Sequence, residues 1–136
     1  MKLEVVPTDL VNIVWPKVEP FFSEAAKHGD DYTVDQIRVF ATQGAWLLIV
    51  VVNEQNNICG ALIVNFFNRH NARVAFIMAI GGKLISTPDT FEQLKAILVS
   101  RGATEIEGAA RKSVARLWRQ SFGAKEKHMI VGVGII

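Results

Sequence analysis

A chain of 136 residues, half of them apolar and 21% charged, has the size and composition of one domain (1–136) with a substantial buried core. Its formal charge is +2, from 15 Lys and Arg against 13 Asp and Glu, which argues against nucleic acid as a partner; the one basic concentration, Arg111–Lys127, reads more simply as a solvated helix face. No apolar run approaches the roughly 18 residues of a membrane span, the N-terminus lacks the long apolar region of a secretory signal, and a lone Cys59 cannot form an internal disulfide. The expectation is a soluble, cytoplasmic chain with a packed thiol and no membrane contact.

Leu3–Val6 reads as a short strand, ended by Pro7. Thr8 or Asp9 can cap a helix starting near Leu10, with Leu10, Ile13, Val14, Val18, Phe21, Phe22 and Ala25 at helical spacing. Pro16 and Pro20 each remove a backbone donor, so the expectation is a short turn before Pro16 and then a helix to about Lys27, kinked or restarted at a proline. Residues His28–Asp31 form a loop. Thr33 with Gln36 makes a capping box for a helix Val34–Thr42 that Gly44 closes.

Ala45–Gly82 is the centre of the chain. Two polar separators, Asn53–Asn57 and Asn68–Asn71, divide it into three apolar runs rich in Val, Ile, Phe and Trp. Such runs predict a meander of strands joined by hairpin loops. Trp46–Val52 is apolar on both faces and predicts a strand covered on both sides. Val74–Ile80 is the fourth strand. Ser86 or Thr87 caps the next helix, Pro88 suits its first position, and Phe91, Leu94, Ile97 and Leu98 form its buried stripe. Arg101–Gly102 ends it. Thr104–Glu107 is a fifth strand. Arg111–Phe122 is a helix with Val114, Leu117 and Trp118 inward and Arg111, Arg116 and Arg119 outward. Met129–Ile135 is a last apolar strand, either inner or an edge that pairs with a second copy. A helix between the fourth and fifth strands implies a crossover with parallel pairing. The fold class is therefore α/β, a mixed central sheet with helices on both faces.

This element order, with L-W-R-Q-S-F-G-A before the final apolar run, resembles the GNAT acetyltransferase fold. The segments W-P-K-V-E-P-F-F-S-E-A-A-K-H-G, Y-T-V-D-Q-I and W-L-L-I-V-V-V-N resemble small GNAT-like proteins of tailed phages and prophages, some of them associated with virions. The GNAT resemblance implies a splay between the fourth and fifth strands that admits acetyl-CoA. The fourth-strand backbone, including Met78 and Ile80, would meet the pantetheine amides, and backbone donors at the start of the next helix would hold the pyrophosphate. Gly81, Gly82, Lys83, Ser86 and Thr87 are the residues available there. The family's Q/R-x-x-G-x-G/A segment is absent, however, and two glycines ending a strand are more often a turn or bulge.

Catalytic groups are sparse. Glu105 and Glu107 alternate on the fifth strand, where one could bind an amine or take its proton. The tyrosine that many relatives carry on the following helix is missing, and Ser113 is its weak substitute. His28, His70 and His128 lie far apart with no ligand spacing around them, so no metal is expected. Two readings stay open. One is an acyl-CoA-dependent N-acetyltransferase acting on a small-molecule or protein amine. The other is a non-enzymatic protein that works through protein contacts in virion structure or assembly, with self-association at the last strand.

Overall fold

The computed structural model describes residues 1–27, 32–82, 87–109, 112–127 and 131–136, and of Lys112 and Val114 the backbone alone. The order is β1 (Lys2–Val5), a 3-10 turn (Thr8–Leu10), α1 (Val11–Ala26), α2 (Val34–Thr42), β2 (Leu47–Val52), β3 (Ile58–Arg69), β4 (Ala72–Gly82), α3 (Pro88–Ser100), β5 (Glu105–Gly108) and α4 (Lys112–Phe122). One five-stranded sheet runs β1-β2-β3-β4-β5. Every pair is antiparallel except β4 and β5, which the α3 crossover makes parallel.

β2 sits in the middle of the apolar material. Leu48, Val50 and Val52 point into a core shared with Val11, Trp15, Val18 and Phe22 of α1 and Ile37 and Ala41 of α2. Ile49 and Val51 point the other way, into a core with Leu94 and Leu98 of α3. The uninterrupted apolar run is thus a strand buried on both faces, as its sequence predicts. The Asn-rich separator before β3 folds on itself: the Asn53 carboxamide oxygen accepts from the Gln55 and Asn57 amides at 3.0 Å, and Asn56 takes the left-handed conformation.

α1 is unbroken, against the expectation of a restart. Pro16 and Pro20 lie inside it and deprive the carbonyls of Asn12 and Pro16 of their helical donors. Residues 12, 16 and 20 form one exposed stripe, so water can satisfy those carbonyls. An unbroken helix also resets its buried face. Val11, Trp15, Val18 and Phe22 go inward, whereas Leu10 and Ile13 are exposed. In α4 the inward positions are half-buried Ala115, Trp118 and Phe122, and Leu117 is exposed. The inward face is therefore one residue out of step with Leu117.

Among the described residues, the expected terminal strand Met129–Ile135 is not found. Residues 131–136 are irregular, and Val131, Val133, Ile135 and Ile136 are exposed. An apolar run becomes a strand only against a sheet edge that supplies its hydrogen bonds, and these residues lie against none. Residues 129 and 130 are outside the described set.

Two glycines fix how α1 meets the sheet. A Cβ on Gly81 would lie 2.6 Å from the Phe21 carbonyl oxygen. Gly82 has φ +84, and a Cβ there would lie 2.5 Å from the Cys59 carbonyl oxygen. Both neighbours are backbone, which cannot swing aside. Gly81→Ala should therefore cost about 1–3 kcal/mol through overpacking, measured by urea unfolding, while Gly132→Ala, with nothing within 4 Å of its Cβ, should stay within about 0.5 kcal/mol of the parent. Thr33→Ala removes the capping box on α2, in which Thr33 Oγ1 accepts from the Gln36 amide and Gln36 Oε1 from the Thr33 amide. It should cost about 1 kcal/mol in the same measurement.

Candidate functional site

β4 and β5 pair only from Val74↔Glu105 to Ile77↔Gly108. β4 then continues to Gly82, and past Ile77 it has no strand on that side among the described residues. The parting coincides with a bulge. β4 pairs Ile77 with Val64 and Ala79 with Ile63, so Met78 is an extra residue without a register partner. Both Met78 and Ala79 join the core under α1 and α2.

That core ends at Ile63 and Ala79. Alternation along the strands places Asn65, Phe67, Arg69, Val74, Phe76, Glu105 and Glu107 further along the same sheet face. Phe67 and Phe76 lie with ring centroids 6.1 Å apart, and the Arg69 guanidinium sits 5.1 Å from the Phe67 ring. Glu107 is buried, with its carboxylate paired to Arg69 and 3.7 Å from the Lys127 ammonium. Lys127 also pairs with Glu105. Its hydrogen bond to Glu105, with the nearby Glu107 charge, holds the Lys127 ammonium above the ordinary lysine pKa. The stabilisation from that shift is present below the ordinary value and is lost as pH rises through the raised one.

A cleft of about 730 Å³ is bordered by the last β4–β5 pairs, α3, α4 and the chain after α4; of β4, Phe76 and Ile77 line it, and Met78, Ile80, Gly81 and Gly82 do not. Its floor is apolar: Ile77, Phe91, Leu94, Ile106, Trp118 and Phe122. Phe76 and Glu107 reach it from the other sheet face, and Arg116, Arg119, Lys125 and Lys127 bring positive charge to it. Trp118 closes over β5 so tightly that a Cβ on Gly108 would lie 3.1 Å from its ring. The rings of Phe91 and Phe122 stack at 4.2 Å and tie α4 to α3.

The start of α3 is engaged by its own residues. Thr87 Oγ1 accepts from the Thr90 amide, and the Thr87 carbonyl accepts from the Phe91 amide. Pro88 has no N–H to offer, and Asp89 puts a carboxylate in the first turn. Among the described residues, this terminus is poorly equipped to seat a phosphate.

The expected site residues are distributed as follows. Glu105 and Glu107 are brought together and meet Lys127. Met78, Ile80, Gly81 and Gly82 form the part of β4 beyond β5, where Gly81 and Gly82 already have a packing reason to be glycine. Thr87 is the helix cap. Lys83 and Ser86 lie outside the described residues. Ser113 is exposed in the first turn of α4 and does not line the cleft. Arg69 and Lys127 were not foreseen as partners of Glu107. The strand register supplies the signal for Arg69, because it puts residues 69 and 107 on one face. Among the described residues no three His, Cys, Asp or Glu side chains gather to hold a metal, and no helix is long and apolar enough to cross a membrane.

No family model matches the chain, and no curated protein is significantly similar to it. Solved structures are. A probable acetyltransferase aligns over 100% of this chain and 97% of its own at 9% identity, with a TM-score of 0.68. An aminoglycoside acetyltransferase from an uncultured soil metagenomic sample, in complex with trehalose, aligns over 99% and 96% at 14% identity and a TM-score of 0.69. Ribosomal-protein-alanine N-acetyltransferase from Brucella melitensis biovar Abortus 2308 aligns over 98% and 100% at 10% identity and a TM-score of 0.61. Identities this low carry the fold alone, and the strand order, the parallel β4–β5 pair and these alignments agree: the chain has the GNAT acetyltransferase fold.

Proposed function

We propose that this chain is an acyl-CoA-dependent N-acyltransferase. The observation that carries the reading is the open cleft of about 730 Å³ bordered by the last β4–β5 pairs, α3 and α4. Its size is that of a small-molecule site. When bound, acyl-CoA would supply the activated acyl carbon. The chain would hold the pantetheine along the β4 edge, through the backbone of Met78 and Ile80, as an added strand is held. The acceptor is a small-molecule amine, as for the aminoglycoside acetyltransferase among the structural neighbours. It would lie on the face that carries Asn65, Phe67 and Phe76, with Glu107 taking the proton that the amine gives up. Arg69 and Lys127 fix the position of that carboxylate.

The engaged start of α3 and the absence of a tyrosine on α4 favour a second reading. In it the fold is a scaffold for protein contacts, as in the virion-associated GNAT-like proteins that the sequence resembles. Calorimetry with acetyl-CoA separates the two. Micromolar binding supports the acyltransferase, and no heat at millimolar acetyl-CoA removes it. With an acceptor found by thiol release against a panel of amines, Glu107→Gln should lower kcat about 10²-fold or more and leave KM for acetyl-CoA unchanged. A variant that folds, by its melting curve, and keeps parental turnover would take the proton-accepting role away from Glu107.

A further inference from the structure

The cleft has a charged wall that the acyltransferase reading does not use. α4 reads K-S-V-A-R-L-W-R-Q-S-F and contains no acidic residue, so no carboxylate within the helix pairs with its arginines. Arg116 and Arg119 are three residues apart and therefore on one side of the helix. Both are exposed, both line the cleft, and Lys125 joins them there. None of these three side chains has a hydrogen bond or ion pair among the described residues. Arg38 is engaged with Asn12, Arg69 with Glu107 and Arg73 with Asn68, while Arg101, outside the cleft, is also without a side-chain partner among the described residues.

The carboxylates of the cleft do not cancel this charge. They are Glu107, already matched by Arg69 and Lys127, and Glu126, a single charge against the three of Arg116, Arg119 and Lys125. Phe91, in the first turn of α3 and stacked on Phe122 of α4, forms part of the lining. That turn offers an anion one amide without an acceptor among the described residues, that of Asp89, which lies beside the Asp89 carboxylate; Pro88 has no donor and the Thr90 amide is capped. Two guanidinium forks beside an apolar floor are better suited to a phosphate, because Arg binds it in bidentate fashion and apolar walls weaken the competition from water.

We propose that the α4 wall is an anion seat, in which Arg116 and Arg119, assisted by Lys125, take the phosphate groups of the ligand in the cleft in place of the α3 N-terminus. In its cofactor form this rests on the acyltransferase reading. The same chemistry would also hold a phosphorylated acceptor.

The test is calorimetry with coenzyme A, with pantetheine, which lacks the phosphates, and with inorganic pyrophosphate. The proteins are the parent, Arg116→Gln/Arg119→Gln, and a Lys17→Gln control on the exposed face of α1. The double variant should bind coenzyme A and pyrophosphate at least about tenfold more weakly, with pantetheine unchanged and Lys17→Gln like the parent. Exposed arginines without partners can be replaced with little effect on folding, and the melting curve checks this. Pyrophosphate binding that depends on the two arginines, without coenzyme A binding, keeps the seat, removes the acyltransferase reading and points to a phosphorylated ligand of another kind. Coenzyme A binding that the double variant leaves intact, or that Lys17→Gln weakens equally, removes the seat and keeps the acyltransferase. No binding of either phosphate compound to the parent removes both.

Discussion

β4 has eleven residues and β5 has four, and the two pair in parallel over four residues of each. The mismatch organises the molecule. A parallel partner has to return through a crossover, and α3 supplies it. β5 then stops at Gly108, and the chain turns back as α4. β4 runs on to Gly82 with its β5 side unpaired by any strand among the described residues. The bulge at Met78 falls at the same level, so the strand changes register where it loses its neighbour. The cleft borders the last of these pairs, at Phe76 and Ile77, where α3 and α4 meet the short β5.

The cleft joins two environments. Its floor against α3 and α4 is apolar, with Trp118 laid on Gly108 and Phe91 stacked on Phe122, and Arg116 and Arg119 of α4 stand at its side. On the other face it reaches a buried carboxylate. A buried Glu107 without partners would be costly, and Arg69 and Lys127 remove that cost by pairing with it. Arg69 is itself held over the Phe67 ring. The carboxylate is thus placed by three segments: the end of β3 at Arg69, β5 at Glu107 itself, and the chain after α4 at Lys127. Positive charge left over after these pairs collects on α4.

Much of this was readable from residue patterns. The capping residues Thr33 and Thr87, the doubly buried run of β2, the meander and the parallel crossover all follow from local chemistry: hydroxyl caps, apolar alternation and loop length. Glu105 and Glu107 were legible as a pair on one face because strand side chains alternate. Local rules failed where a distant element decided the outcome. Pro16 and Pro20 look like helix breakers, yet their lost donors face water along an exposed stripe. Val131–Ile136 has the composition of a strand but no ladder to join. Leu117 has the character of a core residue, but Ala115, Trp118 and Phe122 set the face that meets α3 and β5.

Sequence alone determined the order of elements from β1 to α4, the fold class and the scarcity of catalytic groups, because these depend on propensity, periodicity and composition within short windows. Tertiary structure decided the rest. Phe21 lies against Gly81 across 60 residues of chain, and Arg69 pairs with Glu107 across 38. Thr87 caps the Thr90 amide at the start of α3, and the basic side of α4 is turned to a cleft rather than to bulk water alone. Each of these depends on which surfaces meet when the sheet closes, and no window along the chain contains both surfaces.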